Sequence, residues 1–238
     1  MNYSEKIAAY TQLVDDVKNC SMLDNCNKDS KVKLEKCDFC GEINLWSYWQ
    51  GGKDNLDAKI LLVGQDWGSL NTLEINFLNY MEKNDNPTDI HLCELFDSIG
   101  YNICSVKHED LFFTNFVLCY RCKGLSGGFR QKWADNCSEY FIRLVKIIQP
   151  KIIICLGRSV YNSVMKSFGE KPLTGKYNSI IEKGAVSINI GDFCVSVFPM
   201  AHCGVLGTYN RNRADNNIKD KGSLEKQIQD WEAIKNLL

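Results

Sequence analysis

Ile60-Leu-Leu-Val-Gly-Gln-Asp-Trp-Gly68 is the stretch on which the fold turns. Four consecutive apolar residues closed by glycine fit a strand buried on both faces, the kind found inside a parallel sheet. Gly64 and Gly68 then bracket a turn in which the backbone can bend sharply and approach a ligand closely. That turn carries an amide, Gln65, and a carboxylate, Asp66. In isolation the pentapeptide reads more simply as a tight strand-to-helix turn with Asp66 as helix cap. It is not a dinucleotide fingerprint, because G-x-G-x-x-G is absent, and it lacks the lysine of a phosphate-binding P-loop.

Working outward, strand patterns fall at 58–64, 111–118, 151–156, 186–190 and 193–199. Helical patterns fall at 5–19, 70–82, 133–148, 158–168 and 222–237. The 133–148 segment places Phe141, Leu144, Val145 and Ile148 on one face, and Pro150 stops it. Strands separated by helices need crossover connections, so the sheet is expected to be mostly parallel between helical layers. In such folds ligands bind at the carboxyl ends of the strands. The stretches Lys123 to Arg130 and Thr208 to Lys221, glycine-rich or polar, read as loops.

The chain has 238 residues, of which 45% are hydrophobic and 24% charged, enough for a full globular core. Its apolar runs are far shorter than the ~20 residues needed to span a bilayer. The first residues lack the basic-then-apolar layout of a signal peptide, so a cytoplasmic protein without membrane contact is expected. A formal net charge of -1 gives no global attraction to nucleic acid, so any DNA contact must come from a local basic patch. Twelve cysteines in a reducing compartment argue for a metal centre over a disulfide framework, although Cys155, inside an apolar run, reads as a small buried hydrophobe.

Two further strand ends carry polar groups. Asn115 interrupts the apolar run Leu111 to Leu118, and an amide there must either cap a neighbouring loop or face a pocket, where it offers both a donor and an acceptor. Val197-Phe-Pro-Met-Ala-His202 runs into a glycine-containing loop that also holds Arg211 and Arg213. A lone histidine is more often structural than catalytic, but this one sits at a strand end and is one of three in the chain.

In this order the segments resemble the uracil-DNA glycosylase superfamily, over roughly residues 35–215. Gly64-Gln-Asp-Trp-Gly68 resembles its water-activating motif, Thr114-Asn115 its base-reading strand end, Pro150 to Arg158 its "PKxIxxLG" strand, and His202 the histidine of its DNA-inserting loop. The resemblance implies an α/β fold of three layers, α/β/α, around a central, mostly parallel four-stranded sheet. It divides the chain into an N-terminal helix with a cysteine-containing extension, 1–34, and a glycosylase-like domain, 35–238. The activity implied is monofunctional: a base is flipped from DNA and its N-glycosidic bond cut, leaving an abasic site. The substrate would be uracil or another altered pyrimidine, in repair or in defence against phages with modified DNA.

Cleavage builds positive charge on the sugar and negative charge on the departing base, so a site must stabilise both. On the resemblance, Asp66 faces the sugar cation and positions or activates water, and His202 donates to the base oxygen. Asn115 reads the pyrimidine edge, Gln65 lines the pocket, and Phe77 is a candidate for stacking on the flipped base, with helix core as its competing role. Arg211 and Arg213 are candidate phosphate contacts. The iron-sulfur branch of the superfamily is the nearest likeness, with Cys37, Cys40, Cys119 and Cys137 as ligands of a structural 4Fe-4S cluster. Cys37, Cys40, Cys119 and Cys122 are alternatively a tetrahedral structural zinc site, and Cys20 and Cys26 are further candidate ligands.

Three positions depart from the family pattern. Gly68 stands where a tyrosine would block the pyrimidine C5 substituent, Trp67 replaces a proline, and Cys203 replaces the proline after the histidine. The expected partner is DNA containing an altered pyrimidine, bound by a monomer. A catalytically silent DNA- or base-binding protein on the same fold is the competing reading, and the joint presence of Asp66 and His202 argues against it.

Overall fold

The computed structural model describes residues 1–35, 52–68, 87–103, 109–122, 128–213, 215–235 and 237–238. In chain order its elements are α1 (Tyr3–Lys18), α2 (Leu23–Asn27), β1 (Leu34–Glu35), a 3-10 turn (Lys53–Asn55), β2 (Ile60–Gly64), α3 (Pro87–Ser98), β3 (Leu111–Asn115) and β4 (Tyr120–Arg121). They continue with α4 (Gln131–Ile148), β5 (Ile152–Leu156), α5 (Arg158–Ser167), α6 (Tyr177–Ile181), β6 (Val186–Ile190), β7 (Phe193–Met200), α7 (Val205–Arg213) and α8 (Glu225–Lys235). The helix expected at 70–82 lies outside the described residues.

The central sheet runs β3-β2-β5-β7-β6 among the described residues, the first four strands parallel and β6 antiparallel at the edge. It therefore has five strands where four were expected. The fifth arises because Gly191, at φ 64°, and Asp192 reverse the chain so that Ile190 pairs with Phe193. Two-residue turns with positive φ suit antiparallel hairpins.

Alternation along the strands divides the core into two. Leu61, Val63, Phe112, Ile153, Cys155 and Val197 pack with α1, α4 and α5 on one face. Ile60, Leu62, Leu111, Ile152, Ile154 and Phe198 pack with α3 and α8 on the other. These are the three layers that the apolar runs implied, since successive side chains of a strand point to opposite faces.

The N-terminal helix, set apart in the sequence reading, shares this core: Tyr10, Leu13 and Val14 of α1 are buried in it. Asn2 and Glu5 cap its start reciprocally. Lys6, 6% exposed, fixes its position by donating to the Leu56 and Ile148 carbonyls at 3.0 and 3.2 Å and to Asp57 at 2.7 Å. Replacing Lys6 with Met keeps the apolar stem but strands two buried carbonyls. The expected loss is about 1–3 kcal/mol, read as a lower denaturant midpoint at unchanged slope.

The polar stretch from Thr208, expected to be loop, begins as helix α7. No apolar stripe marks it because its buried face is polar: Thr208, Arg211 and Asn212 are 0–1% exposed. Gln227 accepts from Thr208, Asp230 from Arg211, and the carbonyls of Lys221 and Ser223 from Asn212 Nδ2. No helix among the described residues is long and apolar enough to cross a membrane.

Candidate active site

The parallel strands deliver their carboxyl ends to one edge, where Gly64 of β2 lies opposite Asn115 of β3. Beyond the sheet the two chains stay joined, Phe116 and Val117 donating backbone N–H groups to the carbonyls of Gly64 and Gln65. A Cβ on Gly64 would collide with Oδ1 of Asn115. The glycine is therefore required by the close approach of the amide, which is 5% exposed.

Asp66 is held by four donors. Oδ1 accepts from the Gly68 N–H at 3.1 Å and Arg121 Nε at 3.2 Å, and Oδ2 from Arg121 Nη2 at 2.7 Å and Gln65 Nε2 at 2.9 Å. Both side chains of the ion pair are nearly buried, 6% exposed for Asp66 and 3% for Arg121. The Arg121 guanidinium also lies 5.5 Å from the centroid of the Trp133 ring. Gly68 adopts φ 74° and accepts the Arg121 N–H at its carbonyl, so the turn itself demands glycine at 68 whatever the substrate. Trp67, in place of the family's proline, is 4% exposed and packs edge-on against Phe113.

His202 follows β7 by two residues, with its surface open to a cleft. Its Nδ1 accepts the Gly204 N–H at 2.9 Å, so the proton of the neutral ring resides on Nε2, which is left to donate. The protein massed around the ring lowers its pKa, and Asp66, close enough to act electrostatically, raises it in part. The result is a ring that stays neutral further into acid than an ordinary histidine. Cys203, fully buried, turns its thiol to the Thr88 carbonyl, which accounts for a cysteine where proline was expected.

A family model of the uracil-DNA glycosylase superfamily matches residues 52–230. The chain belongs to the uracil-DNA glycosylase superfamily. It is 27% identical over 184 residues to a Type-4 uracil-DNA glycosylase of Saccharolobus solfataricus, covering 71% of this chain and 72% of that protein.

Not all residues expected to act in this superfamily member fall in the site. Arg211 is 1% exposed and bonded bidentately to Asp230, at 2.6 and 2.7 Å, and to Glu182 at 3.2 Å. Its guanidinium ties α7 to α8, a correction to its reading as a loop arginine free to bind phosphate. Arg213 is exposed and, with Arg158 and Lys176, lines the cleft beside His202, about 760 Å³ in volume. Sequence reasoning placed Arg158 at the end of a family-like strand but gave it no role, and it missed Lys176, which carries no motif, and the role of Arg121, whose partner is distant in sequence. It also passed over Val205 and Leu206, 63% and 72% exposed at the start of α7. Phe77 lies outside the described residues.

Cys37 and Cys40 also lie outside them. Among the described residues no group of three or more His, Cys, Asp or Glu is placed to hold a metal ion. Cys20, Cys26 and Cys119 nevertheless all lie within electrostatic reach of Cys137. Burial pushes the Cys137 thiol well up, its bond with the Leu118 backbone opposes this, and Cys119, Cys26 and Cys20 add to the rise. Cys26 is raised by burial and by Cys20, against a bond from Asn136. Trp133 Nε1 donates to the Cys26 carbonyl at 3.1 Å, so the ring under Arg121 also reaches this cluster. Cys93 is disulfide-bonded, whereas Cys20, Cys26, Cys137, Cys155, Cys194 and Cys203 are free thiols.

Because the depressed His202 pKa keeps the ring neutral, its midpoint should fall below the ordinary histidine value in an NMR titration. Protonating Nδ1 would break the Gly204 contact. Any rate that depends on the Nε2 donor should therefore be flat through neutral pH and decline only as pH falls through that midpoint.

Proposed function

We propose that the protein is a monofunctional DNA glycosylase that flips uracil or another altered pyrimidine out of DNA and hydrolyses its N-glycosidic bond, leaving an abasic site. The observation carrying this reading is the pairing, across the strand ends, of an anchored carboxylate with a neutral histidine whose Nε2–H is fixed as donor. A departing pyrimidine anion needs such a donor and the sugar cation such an anion.

Asp66 has its four lone-pair directions engaged. Its contribution is therefore negative charge at the sugar, since proton abstraction from water would require Gln65 or Arg121 to withdraw first. Asn115, buried at the end of β3, reads the pyrimidine edge with both donor and acceptor. Val205 and Leu206 form an apolar tip beside His202, suited to entering the base stack as the nucleotide leaves it. Arg158, Lys176 and Arg213 supply the local positive charge that a chain of net charge -1 needs for phosphates.

Substrate breadth does not follow from Gly68 alone, because its left-handed backbone requires glycine in any case. Excision from DNA containing uracil, 5-hydroxymethyluracil, hydroxymethylcytosine or its glucosylated form, scored by alkaline cleavage, separates a repair role from phage defence. Asp66→Asn should lower abasic-site formation by ~100-fold or more while DNA binding survives. Full activity in that variant would remove the catalytic assignment, and wild-type protein that binds DNA but cuts no base would favour a silent binder.

A structural 4Fe-4S cluster remains our reading of the cysteines, with Cys119 and Cys137 kept as ligands and Cys20 and Cys26 taken in place of Cys37 and Cys40, because both act on Cys137. Bound, the cluster would neutralise buried thiolates that are otherwise costly, and no step of the cleavage runs through it. Anaerobically purified protein should be brown with about four irons per chain. Cys20→Ser or Cys26→Ser should lower iron content and thermal midpoint, whereas colourless protein with one zinc would favour the tetrahedral site of Cys37, Cys40, Cys119 and Cys122.

A further inference from the structure

The loop that carries His202 is bracketed carbonyl by carbonyl. Met200 O accepts from the Gly157 N–H at 2.8 Å and the Tyr177 hydroxyl at 3.0 Å. Ala201 O accepts from Gln227 Nε2 at 3.2 Å, and the same nitrogen lies 3.5 Å from His202 O. Cys203 O sits 2.6 Å from His91 Nδ1, which must carry the proton because a carbonyl only accepts. Gly204 O accepts from the Thr208 N–H at 3.0 Å. Helix α7 presses so closely that a Cβ on Gly207 would collide with the His202 carbonyl.

Gln227 is the pivot. It is 1% exposed, and its Oε1 accepts the hydroxyl of the fully buried Thr208 at 2.8 Å. That bond orients the amide, since the flipped alternative would set its oxygen against two carbonyl oxygens. With the amide turned this way Nε2 holds the backbone at 201 and 202. The Gly204 N–H then lies where His202 Nδ1 needs it. The hydroxyl, the amide and His91 come from α7, α8 and α3, three helices that join the His202 loop to the core.

We propose that Gln227, oriented by Thr208 and assisted by His91, is a positioning residue that sets the tautomer and aim of His202. This rests on the glycosylase reading for its effect on rate, but not for its effect on the ring.

The test uses full-length protein labelled with ¹⁵N histidine, alongside single-turnover excision. Gln227→Met keeps the volume and removes both amide functions. His202 should lose its clean Nε2–H signature and become a mixture of tautomers. The rate should fall about 10- to 100-fold, the scale of a misplaced reacting group, with DNA affinity within about twofold of wild type. Thr208→Val should act in the same direction, and Thr208→Ser, which restores the hydroxyl, should return the wild-type signature. Lys6→Met serves as a control for lost stability and should leave the His202 signals alone.

The proposal is overturned if Gln227→Met keeps the wild-type tautomer and rate, if Thr208→Ser fails to rescue, or if Lys6→Met at matched stability reproduces the defect. If wild-type protein excises nothing, the glycosylase reading fails. The ring signature still decides the bracket.

Discussion

A carboxylate buried to 6% exposure survives in this protein because one arginine meets it with two nitrogens, and much of the surrounding structure exists to keep that arginine in place. Arg121 lies on β4, which pairs antiparallel with β1, so the segment after α2 is drawn against the site. Its guanidinium rests near the Trp133 ring of α4, and that indole bonds the Cys26 carbonyl. A continuous path of contacts thus joins Asp66 to the buried thiols. This couples the cysteine-rich corner physically to Asp66. Loosening it would free Trp133, then Arg121, and leave Asp66 as an unpaired buried charge, a change that costs several kcal/mol.

The parts of the fold that were legible in the sequence are those where burial is apolar. β2, β5 and β3 announced themselves as unbroken or nearly unbroken apolar runs, and α4 as a stripe of Phe141, Leu144, Val145 and Ile148. What escaped was burial by polar groups. α7 hides Thr208, Arg211 and Asn212 against Gln227, Asp230 and backbone carbonyls, so its helical period is written in hydrogen bonds and leaves no hydrophobic trace. Arg211 was misplaced for the same reason. An arginine in a polar stretch looks exposed until its buried carboxylate partner is known.

The site was legible in part because strand ends are where chemistry gathers in a parallel sheet. Asp66 and His202 were singled out on that ground and on family pattern, and the structure brings them within electrostatic reach of each other. Arg121 and Gln227 were invisible, since each acts through a partner 55 or 25–26 residues away, and neither spacing forms a motif. Glycines were half legible. Gly64 and Gly68 were marked as turn residues, but only the structure separates the first, which yields space to Asn115, from the second, which supplies a left-handed backbone.

The balance of charge at Asp66 bears on how such a site tolerates DNA. A lone carboxylate in a low-dielectric pocket would repel every nearby phosphate and would itself favour protonation. Paired with Arg121, it presents little net charge at a distance, because the field of a neutral ion pair falls off much faster than that of a single ion. An atom in contact with the carboxylate still experiences its negative end. On the glycosylase reading, the sugar of a flipped nucleotide meets that end at close range, while the flanking phosphates see Arg158, Lys176 and Arg213 along the cleft. On the same reading, the arginine that stabilises the buried anion also confines its influence to the place where a sugar cation would develop.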